Sequence, residues 1–532
     1  MATQPLLIDG EWRAARELIN AFRAENPATG EAIGPAYPVS GAADVEAALS
    51  AASLAASPLA ATPPERVAAF LEAYAAGIEA DAEALVELAH AETALPTQPR
   101  LANVELPRTT HQLRQAAKAA RSYGWTQPVI DTAANLRAHR APLCKPVLVL
   151  GPNNFPFAFN AIAGSDFASA IAARNPVIAK AHPSHPATSE RLAQLALAAV
   201  RETGLPAATV QMLYHLDPSL GERLASDPRV GAIGFTGSRA GGLALKAAAD
   251  AAGIPAYVEL SSVNPVFLLP GALAERGAAL AQEFYTSCTM GSGQFCTNPG
   301  VVIVPSDAAG DAFVAAAREH FAAAAPHVLF SRGVLEHLQR NLTILRAAGA
   351  QLLAGGDAGA PGYRHAPTLL SVDATQFLRE PRALQTEAFG PVSLLVRVRD
   401  QAEMLAVAHA FEGNLTGTLY TASHGADDAT ATALTQALRP RVGRLIGNRM
   451  PTGVAVSPAM NHGGPYPSTG HPGFTAVGMP AAIQRFTALH CYDNVAEHLL
   501  PVELRDANPG GVARCIDGVW CLDPLDKQAL HS

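Results

Sequence analysis

The stretch GSGQFCTNPG, residues 291–300, sets Cys296 among glycines just ahead of an Asn-Pro turn. A free cysteine is most often a small buried apolar residue. On a tight turn it can equally be a nucleophile that substrate reaches. Four other stretches carry side chains able to act with such a thiol. In GPNNFPF, 151–157, Asn154 follows the apolar run VLVL. It is either a turn former beside proline or an amide donor to a developing oxyanion. In GFTGSRAGG, 234–242, Gly237 and Gly242 stand at a G-x-x-x-x-G spacing where a strand gives way to a helix. That is either an ordinary strand–helix turn or a cradle of backbone N–H groups for a pyrophosphate. In YVELSSVNP, 257–265, Glu259 interrupts an apolar strand. It is either a satisfied structural acid or a base whose pKa burial has raised toward neutrality. In TEAFGPV, 386–392, Glu387 and Phe389 flank a turn. The G-x-G of Gly291 and Gly293 leads into the cysteine loop instead of a helix, and it is not read as a dinucleotide motif.

The elements that must position these residues follow from periodicity. TPPERVAAFLEAYAAGIEA reads as a helix with Thr62 as N-cap and Glu65 completing a capping box. Val67, Phe70, Leu71, Tyr74 and Ile78 fall on one face of it. TTHQLRQAAKAARSYG is a second helix. From 147 onward, VLVL, PVIAK, VQMLY and VGAIGF are short apolar runs separated by helical segments, the pattern of a doubly wound parallel sheet. Ligands of such a sheet bind off the carboxyl ends of its strands. A second α/β series runs through NPVFLLPG, GVVIVP, PVSLLVRV and LTGTLYT, with helices near 272–290 and 426–437. The tail from 465 is rich in Gly and Pro, and Asp-Gly in CIDGVWC signals a hairpin able to pair with a neighbouring subunit.

The length of 532 residues implies several domains, and an apolar share of 49% with 16% charged residues implies a well-buried globular chain. The net charge of −8 argues against nucleic acid or an anionic membrane as partner. The start lacks the charged and apolar regions of a signal peptide, and no apolar run is long enough to span a bilayer. Six scattered cysteines without a CxxC pair suggest reduced thiols in a cytoplasmic protein, with neither a disulfide framework nor a metal site.

Taken in order, the amide after a strand, the Gly-turn helix, the strand glutamate, the cysteine loop and E-x-F-G-P resemble the aldehyde dehydrogenase superfamily over nearly the whole chain; IDGEW and NPATGE fit as well. KAHPSHPATS, QFCTNPG and PTGV…HGGPYPSTG resemble its α-ketoglutarate semialdehyde (2,5-dioxopentanoate) branch, which is related to NADP-dependent fatty aldehyde dehydrogenases. The resemblance implies two doubly wound parallel-sheet α/β domains plus a small oligomerisation extension. Residues 1–123 and 147–258 would bind the dinucleotide, 259–465 would be catalytic, and 124–146 with 466–532 would bridge subunits of a homodimer or homotetramer.

It further implies that Cys296 attacks the aldehyde, Asn154 holds the oxyanion, and Glu259 activates the water that hydrolyses a thioester. Lys180, His182, Gly237, Ser238, Arg239, Gly242, Glu387 and Phe389 would contact the cofactor. Pro183 stands where NAD-preferring relatives often carry a glutamate. NADP is therefore expected, with NAD as the alternative. Two departures bear on the substrate. Asn153 replaces a frequent Trp, and Phe157, Phe159 and Ile162 occupy the region where several semialdehyde dehydrogenases place a carboxylate-binding Arg. Phe157, Phe159 and Arg449 are then substrate candidates, with Arg108 and Arg114 as further arginines, and a medium- or long-chain aliphatic aldehyde is the alternative substrate. Other readings are a CoA-acylating enzyme, disfavoured by Glu259; a cysteine hydrolase, which lacks a recognisable histidine motif; and a structural paralogue that only binds dinucleotide.

Overall fold

The computed structural model describes residues 3–525. Its first sheet has seven strands, in the order Ala256–Glu259, Ala232–Thr236, Val147–Leu150, Val177–Lys180, Val210–Leu213, Leu6–Ile8 and Glu11–Arg13. The first five are parallel and the last two antiparallel. The inner strands are buried over most of their length because helices cover both faces, which is why they read as unbroken apolar runs. Among the parallel strands, Val147–Leu150 comes first in the chain and yet sits beside the fourth, Ala232–Thr236. The strand order reverses between them, and a crevice opens at their carboxyl ends.

Helices Pro64–Ala80 and Leu106–Ser122 pack together against this sheet's core. Val67, Phe70, Leu71, Tyr74 and Ile78 are all buried there, as their spacing predicts. Thr62 is not the cap. Two prolines shift the first turn downstream, Pro63 takes the cap position, and Thr62 Oγ1 donates instead to Pro58 O at 3.0 Å, closing the preceding helix Ala42–Ala60.

The second sheet also has seven strands: Gln351–Ala354, Thr368–Asp373, Val392–Val398, Val301–Pro305, Val266–Leu268, Asn414–Tyr420 and Val442–Gly447. All but the first pair in parallel. A third sheet joins distant segments: Thr487–Asp493, Leu136–Pro142, Val129–Asp131, Arg514–Ile516 and Val519–Cys521. The last two form the hairpin read from Asp517-Gly518. Residues 466–486 differ from the expected bridging role. Met479, Ala482, Ile483 and Phe486 sink into the first sheet's core, and the chain there pairs along the Glu259 strand through Leu260 N to Ser468 O at 2.8 Å and Gly470 N to Val258 O at 2.9 Å. Their apolar surface, buried once there, ties them to that body instead of the third sheet. Among the described residues no helix is long and apolar enough to cross a membrane.

Candidate active site

The crevice collects its side chains from strand ends. Asn154 lies in the loop after Val147–Leu150, Gly237 and Ser238 follow Ala232–Thr236, and Glu259 closes Ala256–Glu259. The cysteine loop reaches the same place from the second body. Gly291, Ser292 and Gly293 all take left-handed φ values, of 56°, 59° and 69°. At Gly293 an added Cβ would sit 2.2 Å from Gly390 O, so only glycine allows the loop to press against the neighbouring turn. Asn264 Nδ2 donates to Cys296 O and to Asn298 O, each at 2.9 Å. Asn414 Oδ1 in turn accepts from Val263 N at 2.9 Å and Asn264 N at 3.1 Å. The strand that carries Glu259 and the loop that carries Cys296 are thereby locked to each other.

Around the thiol three donor atoms converge. Cys296 Sγ lies 3.5 Å from His462 Nε2, and His462 Nε2 lies 3.1 Å from Glu259 Oε1. Glu259 and His462 are buried. His462 is fixed by its backbone, with its N–H donating to Thr475 Oγ1 at 3.0 Å and its carbonyl accepting from Ala476 N at 2.8 Å. Despite the short distance, the Glu259–His462 approach is not aligned as a hydrogen bond, and among the described residues the carboxylate meets only His462 and the Cys296 thiol. Burial, and next the nearby Glu259 carboxylate, push the Cys296 thiol well above its ordinary pKa. Asn154 Nδ2 donates to Gln294 O at 3.0 Å, which uses one of its two N–H bonds, and Asn154 and Cys296 line the same cleft.

The cleft beside these groups, about 360 Å³, is lined by Asn154, Lys180, His182, Gly237, Ser238, Gly241, Glu259, Cys296, Glu387 and Phe389. Ser238 caps helix Arg239–Ala251, accepting from Gly241 N at 3.3 Å, so the helix presents free N–H groups at its start. Lys180 faces the cleft without an anionic partner among the described residues, and burial lowers its pKa to about 8. Burial also holds His182 well below the ordinary histidine value, so it is neutral. Burial raises Glu387 to about 7. A glycine turn, a capped helix start, an unpaired cation and a carboxylate at the far end fit a dinucleotide.

Two expected cofactor contacts fall elsewhere. Gly242 is a packing glycine: an added Cβ would lie 2.3 Å from Leu260 Cδ2. Arg239 turns from the cleft to Glu412, 3.2 Å away, because that carboxylate offers it a partner across the helix start.

A second cavity of roughly 1000 Å³ lies against the cysteine loop, lined in part by Arg100, Arg108, Phe155, Gln294, Phe295 and Val454. The substrate candidates divide here. Phe159 packs behind the lining residues Phe155 and Phe295, its ring 5.8 Å from that of His462. Phe157 does not line the cavity: Glu105 accepts its N–H at 2.8 Å and its ring goes into the first core. Arg449 is exposed, because at the end of strand Val442–Gly447 it is Met450 that turns inward. Arg114 is exposed and paired with Glu79.

Arg108 is the arginine the fold brings in. Its guanidinium carbon lies over Phe159 at 5.2 Å and Phe155 at 5.6 Å, and Nε donates to Gln112 Oε1 at 3.1 Å. Nη2 is buried without a partner. Burial lowers its pKa to about 10, so it stays charged at neutral pH, in the field of Glu105, Cys296 and Glu259.

Sequence reading does not single out His462, Arg100, Glu105 or Phe155. Arg100 pairs with the buried Glu105 and donates from Nη2 to Asn154 O at 3.1 Å, so this pair shapes the Asn154 loop. The available signal for His462 is a lone histidine before two glycines in NHGGPYP, a place where bulk is restricted: an added Cβ at Gly463 would lie 2.2 Å from Phe474 O.

A doubly wound sheet whose cleft, fit for a dinucleotide, ends on a half-buried thiol suits an NAD(P)-dependent oxidoreductase acting on aldehydes. The chain belongs to the aldehyde dehydrogenase family, whose sequence pattern matches residues 12–490. It is 41% identical over 530 residues to alpha-ketoglutaric semialdehyde dehydrogenase 2 of Azospirillum brasilense, covering 97% of this chain and 99% of that protein. It is 37% identical over 470 residues to alpha-ketoglutaric semialdehyde dehydrogenase of Acinetobacter baylyi, covering 86% and 88%. Among solved structures, lactaldehyde dehydrogenase from Escherichia coli superposes with a TM-score of 0.79 at 25% identity, covering 92% of this chain and 98% of that one.

Proposed function

We propose that the protein oxidises 2,5-dioxopentanoate (α-ketoglutarate semialdehyde) to 2-oxoglutarate through a thioester on Cys296, with NADP preferred over NAD. The observation that carries the substrate is Arg108, a charged guanidinium that lines the cavity next to the cysteine loop and whose Nη2 has no partner among the described residues. A carboxylate at the far end of a short aldehyde satisfies it; a plain aliphatic chain leaves it buried and unpaired. The semialdehyde dehydrogenases at 41% and 37% identity support the same reading.

Attack on the aldehyde carbon requires the Cys296 thiol to lose its proton, and His462 Nε2, 3.5 Å from the sulfur, is placed to accept it. The Asn154 amide and the Cys296 backbone N–H then stabilise the oxyanion. Bound NAD(P) supplies the hydride acceptor that makes this an oxidation. Glu259 next takes a proton from the water that hydrolyses the thioester. Glu387 and Phe389, on the cysteine side of the cleft, hold the nicotinamide end, while Gly237 and Ser238 hold the pyrophosphate. Lys180 and His182 receive the adenosine ribose. NADP preference rests on this corner: Pro183 supplies no carboxylate, and the unpaired Lys180 attracts a 2′-phosphate.

The domain reading is that the first sheet binds the dinucleotide, the second carries the cysteine loop and the third bridges subunits. The protein is a cytoplasmic homodimer or homotetramer. The edge strand Thr487–Asp493, with Leu489 exposed, and the hairpin with Trp520 exposed support the assembly, and six free cysteines support the compartment. The deciding experiment measures initial rates of NADPH or NADH formation with 2,5-dioxopentanoate, succinic semialdehyde and straight-chain aldehydes, for wild type and Cys296→Ala. Higher kcat/KM for an unsubstituted long-chain aldehyde than for 2,5-dioxopentanoate would overturn the substrate. Activity surviving in Cys296→Ala would overturn the mechanism.

A further inference from the structure

We propose that Cys296, His462 and Glu259 form a binding site for a soft divalent cation, zinc(II) being the type, and that the cation switches the enzyme off reversibly. The sequence has no CxxC spacing; the fold supplies the three ligands from segments far apart in the chain.

Sγ, Nε2 and a carboxylate oxygen all lie within 4.8 Å of one another. Zinc bonds of about 2.3 Å to sulfur and about 2.0–2.2 Å to nitrogen and oxygen give a tetrahedron with edges of roughly 3.3–3.7 Å. The observed separations are 3.5 Å for Sγ–Nε2 and 3.1 Å for Nε2–Oε1, so small side-chain movements suffice.

Nor are the donors committed elsewhere. Glu259 is buried, and among the described residues its carboxylate meets only the other two members of the cluster, His462 and the Cys296 thiol. A buried carboxylate left this way is costly, and a cation relieves it. Thiolate, imidazole and carboxylate together form a ligand set that zinc accepts, with water as the fourth ligand. Arg108 and Arg444 face the same sulfur and oppose a cation, while Glu387 favours it. The two anionic ligands neutralise the metal's own charge.

Binding exchanges a proton for the metal. The Cys296 S–H bond breaks, the proton passes to buffer, and the sulfur lone pair forms the metal–sulfur bond, with no change of oxidation state. Loss of activity follows on the reading that Cys296 is the nucleophile; cation binding itself does not depend on that reading.

The test uses the full-length protein, stripped with EDTA and freed of chelator. Cadmium chloride is titrated in while the thiolate-to-cadmium charge-transfer absorption is followed, and Cys296→Ser is run in parallel to subtract the other cysteines. Wild type gains one equivalent of this absorption that Cys296→Ser lacks, and His462→Gln weakens binding at least about tenfold. Separately, about 10 µM free zinc(II) lowers the initial rate about tenfold, as a Kd near 1 µM requires, and EDTA restores it. Equal absorption in wild type and Cys296→Ser overturns the site, as does unchanged affinity in His462→Gln. Inhibition that EDTA does not reverse overturns the switch. A cadmium band specific to Cys296 in a protein inert toward every aldehyde supports the cation site and removes the enzymatic reading.

Discussion

Replacing Arg108 by methionine isolates its charge from its bulk. Methionine keeps an unbranched apolar stem against Phe155 and Phe159 and removes the guanidinium. At about 4 Å and an effective dielectric of about 20, a carboxylate–guanidinium pair is worth up to ~4 kcal/mol. Hydrogen bonds to charged groups measured by mutation give about 1.5–3 kcal/mol. Taking ~3 kcal/mol, kcat/KM for 2,5-dioxopentanoate should fall roughly 150-fold. The change also strips Gln112 Oε1 of the Nε donor at 3.1 Å, a structural loss that every substrate shares. Propanal or hexanal therefore serves as internal control, and kcat/KM for it should change less than about fivefold. The assay is NADPH formation at fixed saturating NADP, for both aldehydes on both proteins. An equal loss for the two aldehydes would show that Arg108 shapes the cavity without reading the carboxylate, and the substrate assignment would lose its main support.

Glu259→Gln should still release one equivalent of reduced cofactor in a burst and then turn over about 10²–10⁴-fold more slowly, because deacylation has lost its base; stopped-flow absorbance checks this, and a slow steady state without a burst refutes it. Gly293→Ala forces a left-handed φ of 69° on a residue whose Cβ would lie 2.2 Å from Gly390 O. It should lose about 3 kcal/mol or more of stability along with activity, seen as a lower Tm; an unchanged Tm refutes the constraint. The ratio of kcat/KM for NADP to that for NAD should be highest below pH 8 and fall as pH rises through about 8, where the Lys180 ammonium deprotonates in the free enzyme. The ratio cancels the thiol's own titration, and a flat ratio would remove Lys180 from 2′-phosphate binding.

Strands and the helices between them were legible because an inner parallel strand is buried on both faces and leaves a continuous apolar run, as VLVL and VVIVP do. Cys296, Asn154 and Glu259 could be singled out for a similar reason. Each sits at a strand end or glycine turn where its residue type departs from its surroundings. What stayed hidden depends on three-dimensional direction. Gly242 and Gly237 look alike in sequence, and only the packing of Leu260 separates them. Arg239 and Arg449 look as available as Arg108, yet Glu412 claims the first and a strand end turns the second outward. Thr62 carries a cap's signature, but the two prolines after it move the helix start. His462 lies 166 residues from Cys296, and no local pattern announces a contact at that separation.

The two cavities share no lining residue. They meet only across neighbours in the chain, Phe155 beside Asn154 and Phe295 beside Cys296. With the aldehyde in the aromatic cavity and the nucleotide in the cleft, as proposed, each reactant has its own doorway, and a blocker lodged in one entrance should not be outcompeted by crowding the other.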